Sequence, residues 1–450
     1  MRFLLKMQVA LLAMTFGLWS GAALGDGLRV GAATVNLEAD DSMVIAGGIL
    51  PRHVKGQEGQ LRVVAVVIER PSVAKVAIVQ CDVLFVTRRM LDSVVAEIEK
   101  TTGIPTEHLL INATHTHHAP STAVVHGYGR NELFCERVQR AVVTAVQDAN
   151  KGLAGGDATF SFHLGREDTV GANSRLLMSD GKIRWIGSTR GAVRPTGPFD
   201  PQLPVLAFHG PDRKLRALIY NHSTHTIGTR RGNVRSPSFY GLAAQELEQE
   251  LGGVVSFLEG ASGSTHNINR VPTGEAVNRF KAVINDALTK AEPRPVNRLV
   301  AIKRRFTFNV RSFDEALEDE KVVSYCRKYS GAGAESVIAV FRDMRKKLRP
   351  QQGQQRETWL QAMVIGDVAL VGVPAEYFTV LGVNIKQRSP YKHTYIAELA
   401  NDWIGYLPDR EAHTLGGYQT WTGLHSFAEV GTGERIVDEV LSMLQELKDE

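Results

Sequence analysis

The chain has 450 residues, of which 43% are hydrophobic and 22% charged, with a formal charge of +4. That composition belongs to a folded globular protein, long enough for one large domain or two smaller ones. The near balance of charge argues against a nucleic-acid partner, and no internal repeat or low-complexity block is present.

Residues 1–25 read as a secretory signal. Arg2 and Lys6 form a positive start, an apolar run continues through Leu18-Trp19, and Ala23-Leu24-Gly25 is a small-x-small cleavage site. The chain is therefore expected outside the cytoplasm, secreted or periplasmic, with residues 26–450 as its folded part. Export permits disulfides, but three cysteines, Cys81, Cys135 and Cys326, make no zinc-finger spacing and read as core thiols.

A first strand is expected over 28–35, followed by the glycine-rich stretch Ala46-Gly47-Gly48-Ile49. Residues 61–68 and 73–86 are β-branched runs joined at Pro71-Ser72. Asp82 lies in the second run and needs a partner, either structural or as a carboxylate behind a metal ligand; the structural role is favoured. Helical spacing follows over 88–100, then the apolar run 108–111, which leads into Asn112-Ala113-Thr114-His115-Thr116-His117-His118 and is stopped by Pro120. Strand alternation puts His115 and His117 on one face and His118 on the other.

A helix over 132–150 and a strand over 158–164 come next. Asp180-Gly181 turns a hairpin between Leu176–Met178 and Ile183–Trp185, and Gly210-Pro211-Asp212 turns another between 203–208 and 215–220. That second hairpin runs into Asn221-His222-Ser223-Thr224-His225, again an apolar strand ending in histidines. A helix over 240–251 and a strand over 254–258 open into Glu259-Gly260-Ala261-Ser262-Gly263-Ser264-Thr265-His266, where small residues let backbone amides approach a ligand. A helix over 274–291, a strand over 299–310 and a long helical stretch over 313–349 follow. The polar run 345–356 reads as a solvated linker. A hairpin over 359–373 ends in Pro374-Ala375-Glu376-Tyr377, where a helix is expected to begin. A strand over 394–399, the passage Asn401-Asp402-Trp403-Ile404-Gly405-Tyr406, and a helix over 433–448 complete the chain. Strands alternating with helices, but interrupted by hairpins, predict an α/β fold with mixed sheets flanked by helices in a single large domain.

Four places stand at the carboxyl ends of apolar runs: His115/His117, His222/His225, Glu376 and Tyr406. Two histidines and a carboxylate are a common catalytic zinc set with a position left open for water. In the same order, the chain resembles the neutral/alkaline (non-lysosomal) ceramidases over roughly residues 28–430. Asn112 to His117 looks like the family's THTHS-type loop, His222-Ser223-Thr224 like its HGT-type histidine, and Val373 to Glu376 like its VPGE-type segment. Tyr406 and Tyr418, bracketing Arg410-Glu411, resemble its paired tyrosines. The resemblance implies one zinc ion held by His115, His222, Glu376 and Tyr406, with His117 and Tyr418 at the scissile amide of a small or lipid-like N-acyl substrate. A lipid-like substrate is compatible with peripheral contact at a membrane.

The chain departs from that pattern at three points. His266 stands where the family has a serine assigned a catalytic role, with Ser262 and Ser264 displaced to either side. Asn173-Ser174-Arg175 shifts the family's substrate-side arginine by one position. The chain also stops before the family's C-terminal β-sandwich. The expectation is a secreted zinc-dependent hydrolase of an N-acyl amide that uses metal-activated water, with His117 or His266 moving a proton. Its rivals are another metal-dependent amidohydrolase or esterase, including an amidohydrolase barrel, whose HxH pair belongs on the first strand, and an exported binding protein on a decayed enzyme scaffold.

Overall fold

The computed structural model describes residues 27–153, 156–187 and 189–449. The expected signal, residues 1–25, lies outside the described residues. Three sheets carry the fold. The first runs Arg29–Asn36, Arg62–Arg70, Ala74–Cys81, Leu109–Ala113; the second Val254–Glu259, Leu215–His222, Gln202–His209, Thr159–Arg166, Glu292–Arg294; the third Leu299–Asn309, Gln355–Ile365, Val368–Val373, His393–Glu398. In each, neighbours are antiparallel except for one pair, which is parallel and sits at one end of the order: Ala74–Cys81 with Leu109–Ala113, Leu215–His222 with Val254–Glu259, and Val368–Val373 with His393–Glu398. The sheets are thus mixed, as expected. Among the described residues the three sheets form no closed parallel barrel, which is the fold the amidohydrolase-barrel rival required.

Residue alternation explains how the sheets assemble. Val66, Ile68 and Ile78 of the first sheet, Leu206, Ala217 and Ile219 of the second, and Met363, Ile365 and Leu370 of the third share one buried cluster. Their sequence neighbours face outward. Val63, Ala65, Val67 and Val79 pack on the helices Arg88–Thr102 and Glu132–Lys151. Leu218 and Tyr220 pack on Ser238–Leu251 and Thr273–Lys290. Ala362, Val364 and Val371 belong to a cluster with four helices, Glu315–Tyr329, Ala334–Leu348, Thr379–Arg388 and Thr432–Asp449. The result is three sheets facing one another around a common core, each sheathed by helices. Because both faces are buried, the strands read as continuous apolar runs rather than alternating ones. No helix of the described residues is long and apolar enough to cross a membrane. All three cysteines are free and buried.

The seams between sheets are closed by buried amide side chains near the carboxyl ends of the parallel pairs. The Gln80 side-chain oxygen accepts the Phe257 N–H at 2.8 Å, and that of Asn112 accepts the Glu259 N–H at 3.2 Å, joining the first sheet to the second. Asn112 also donates to the Glu398 carbonyl, and Asn401 exchanges bonds with the Ile111 backbone at 2.8 and 3.2 Å, joining the first to the third. Asn221 donates to the Leu258 and Ile396 carbonyls, both at 2.8 Å, joining the second to the third.

Several expectations change. The stretch 313–349 is two helices parted by Gly331–Gly333, not one. The run 345–356 is no linker: Arg345 is buried and pairs with Glu315 at 2.9 Å and Asp319 at 2.6 Å, knitting the two helices together. Glu376–Tyr377 forms a short strand paired with Tyr406–Leu407, and the helix starts only at Thr379. The strand around Asp82 ends at Cys81, so Asp82 caps the strand rather than lying inside it.

The seams give a direct test. Asn112→Ala should lower stability by about 2–4 kcal/mol, since it strands the Glu259 N–H and the Glu398 carbonyl in a buried place. Urea unfolding checks this, and an unchanged midpoint would show that the amide bridge is dispensable.

Candidate functional site

All three parallel pairs deliver their carboxyl ends to one region, and the candidate residues follow directly from those ends. After Ala113, Thr114 donates its N–H to the Cys81 carbonyl at 2.9 Å and its hydroxyl to Asp82 at 3.2 Å. Asp82 also accepts from the Arg62 N–H and the Gln80 amide, and burial raises its carboxyl to about 6 against those bonds. Its role is therefore to anchor the loop. His115 then takes a left-handed backbone, φ 59°. That turn, not strand alternation, aims its ring. His115 Nε2 still meets His117 Nε2, at 3.3 Å, while His118 turns away to accept the Gly228 N–H at 3.0 Å.

His115, His117 and His225 bring ring nitrogens within 4.8 Å of one another. A Glu376 oxygen lies 3.4 Å from His115 Nε2 and 3.5 Å from His225 Nε2. Tyr406 Oη is 3.1 Å from His225 Nε2, placed there by the pairing of Glu376 with Tyr406. The other Glu376 oxygen accepts the Trp403 indole N–H at 3.2 Å. Of the three rings, His115 and His225 are buried and His117 is half-buried.

His222 is not brought to this cluster. Its Nδ1 is 2.6 Å from Tyr240 Oη and its Nε2 is 3.0 Å from the Glu167 carbonyl, so both nitrogens are engaged elsewhere. The reason is parity. His222 shares a strand face with Leu218 and Tyr220, which point to the outer helices. His225 lies three residues past the strand end and is free to turn inward. The counting that places Tyr220 outward places His222 outward too, and this was the signal available in the sequence.

Burial, then the neighbouring imidazoles, lower the His117 and His225 rings below their ordinary range, so they are neutral. Burial and then the Glu376 charge push the phenols of Tyr406 and Tyr418 well up. His115 Nδ1 is 3.2 Å from the Leu84 carbonyl and His225 Nδ1 is 2.9 Å from the Ser262 carbonyl. Each ring thus spends its Nδ1–H on a carbonyl and turns a bare Nε2 lone pair toward the other and toward a carboxylate. Lone pairs set against one another in a buried place are satisfied by a cation, and a carbonyl behind each ring is the usual support of a metal-binding histidine. This group can hold a metal ion.

The remaining expected residues flank it. His266 stacks on His225, ring centroids 3.8 Å apart, and its Nδ1 is 2.9 Å from Ser174 Oγ. Tyr418 stacks on Trp185 at 4.0 Å, its ring centroid 5.8 Å from that of Tyr406, and its hydroxyl is 3.1 Å from His126 Nε2. The buried guanidinium of Arg175 reaches the Gln419 side chain at 2.9 Å and the carbonyls of Ala412 and Gly416, so it braces the segment that carries Tyr418. Ser262 donates its hydroxyl to Glu398 at 2.7 Å, and Ser264 to Thr379 at 3.1 Å. Four residues were missed as site residues: His126 and Glu398 carried no chemical motif, and Trp403 and Ser174 lie in passages singled out for Tyr406 and Arg175.

His225→Ala should lose tightly held divalent metal, whereas His222→Ala should retain it and instead lose about 1–3 kcal/mol of stability by stranding Tyr240 and Glu167. Metal content per folded chain and thermal unfolding separate the two. Metal lost from the His222 variant and kept in the His225 variant would reverse the assignment.

No family model matches the sequence, and no curated protein matches it. Solved structures do. The neutral ceramidase from Pseudomonas aeruginosa superposes with a TM-score of 0.71 at 17% identity, over 93% of this chain and 75% of that one. A ceramidase complexed with C2 gives 0.74 at 18%, over 94% and 75%. The chain has the neutral ceramidase fold.

Proposed function

We propose that this chain is a secreted, zinc-dependent hydrolase of N-acyl amides, related in chemistry to the ceramidases whose fold it shares. The observation that carries the reading is the convergence of His115, His117, His225 and Glu376 at the joined strand ends. His115, His225 and Glu376, with Tyr406 beside them, are the residues that would hold the ion. Imidazole with carboxylate suits zinc better than magnesium or calcium, which prefer all-oxygen sites. The ion would supply a Lewis acid and acidify water to a pKa of about 7.

The protein's own groups supply the rest. His117 is the least buried imidazole, so substrate approaches over it, and its neutral ring can accept or return a proton. Tyr418 packs against Tyr406, ring centroids 5.8 Å apart, and its phenol would donate to the carbonyl oxygen or the leaving amine. His266, held at Nδ1 by Ser174, is a second candidate for proton transfer. A serine nucleophile needs a hydroxyl aligned with a base. Ser264 bonds the Thr379 hydroxyl, which is no base, and Ser262 faces a Glu398 carboxyl already engaged by two backbone N–H groups, which supports water as the nucleophile. A lipid-like N-acyl substrate fits the shared fold, and it would be met at or near a membrane surface.

Turnover of a fluorescent N-acyl amide by the zinc-loaded protein tests the reading. It should proceed without a stoichiometric burst in rapid mixing. Ser262→Ala and Ser264→Ala should lower the rate only modestly, and His266→Ala should lower it by roughly 10²-fold. A burst that disappears in the Ser264 variant would replace water with a serine, and a protein with full zinc and no hydrolysis would leave only a binding role. For export, N-terminal sequencing of the native protein should begin near Asp26. A start at Met1 would refute the cleaved signal.

A further inference from the structure

Glu398 ends the strand His393–Glu398 and is completely buried. It touches no ring of the histidine cluster, yet it reaches the segments that carry three members of the site. One carboxyl oxygen accepts the Tyr377 N–H at 2.7 Å and the Ser262 N–H at 3.0 Å; the other accepts the Ser262 hydroxyl at 2.7 Å. Tyr377 directly follows Glu376. The Ser262 carbonyl, in turn, is the group that receives His225 Nδ1 at 2.9 Å. The Glu398 backbone carbonyl takes the Asn112 amide, three residues before His115.

We propose that Glu398 is the positioning residue of the metal centre, fixing the Glu376 carboxylate and the His225 imidazole relative to each other through Tyr377 and Ser262. The inference rests on the metal reading above. The two ligands come from different sheets: His225 follows a strand of the second, Glu376 a strand of the third. No strand ladder joins them; a single backbone bond, from the Gly263 N–H to the Tyr377 carbonyl at 2.9 Å, links the two loops beside the Glu398 contacts. Glu398 supplies what a ladder cannot, a planar group with two acceptor atoms that gathers a loop amide from each side at one point. Outer partners of this kind orient the ligands, and their loss typically weakens metal affinity by about 10–100-fold.

The test is zinc affinity of the metal-free full chain, measured by competition with a chromophoric chelator. Glu398→Leu keeps the volume and removes both acceptors; it should weaken zinc binding by about 10–100-fold. Glu398→Gln keeps an oxygen for the two N–H groups and an NH₂ for Ser262 Oγ, and it should stay within about threefold of the parent. A purely structural role would lower the melting temperature of the leucine variant and leave its zinc affinity unchanged, which would overturn the proposal. If the leucine variant does not fold, Glu398→Asp decides. It keeps the carboxyl group but withdraws it by one methylene, so parental affinity there also overturns the proposal and a tenfold loss supports it. A parent chain that takes up no zinc removes the hydrolase reading itself, and this inference with it. A parent that binds zinc while the leucine variant matches it removes the inference alone.

Discussion

Everything in this molecule depends on closing the seams where three sheets meet. Facing sheets can bury apolar side chains against one another without specific partners, but the ends of their strands carry backbone N–H and C=O groups that burial leaves without water. Each such group left unpaired costs about as much as a lost hydrogen bond. Gln80, Asn112, Asn221 and Asn401 resolve this because a side-chain amide offers a donor and an acceptor at once. The same bonds fix the sheets in register at one end. It is there that ligating residues from separate sheets can be held within a few ångströms of each other.

That arrangement explains why some of the structure could be read from the residues and some could not. The apolar runs of Arg62–Arg70 and Leu215–His222, the Asp180-Gly181 turn and the spacing of Arg88–Thr102 are local, and local rules suffice for them. The histidine loop, Glu376 and Tyr406 were legible for a related reason, since each follows an apolar run that must end somewhere polar. Two of the three misreadings were non-local. Glu376 looked like the start of a helix because only its pairing with Tyr406, thirty residues on, makes it a strand. Arg345 looked solvated because Glu315 and Asp319, which neutralise it, lie on another helix. His222 was preferred over His225 on motif likeness, although strand parity already turned it outward.

The tripeptide Asn173-Ser174-Arg175 serves two parts of the site at once. Ser174 now touches His266, and the Arg175 side chain is drawn into the protein to hold carbonyls beside Tyr418. Two flanking residues of the site, from distant parts of the chain, are therefore braced from one turn.

His115 carries a further consequence. A non-glycine residue with φ near 60° is held in a conformation that costs about 1–2 kcal/mol for an ordinary side chain. Against a total stability of about 5–15 kcal/mol typical of folded domains, that is a sizeable fraction committed to a single torsion. Glycine would relax that torsion, but it would also leave the space of a buried ring empty and the Leu84 carbonyl without its partner. The ring's own burial and hydrogen bond therefore hold the strained torsion in place, and relief at His115 exchanges one cost for another.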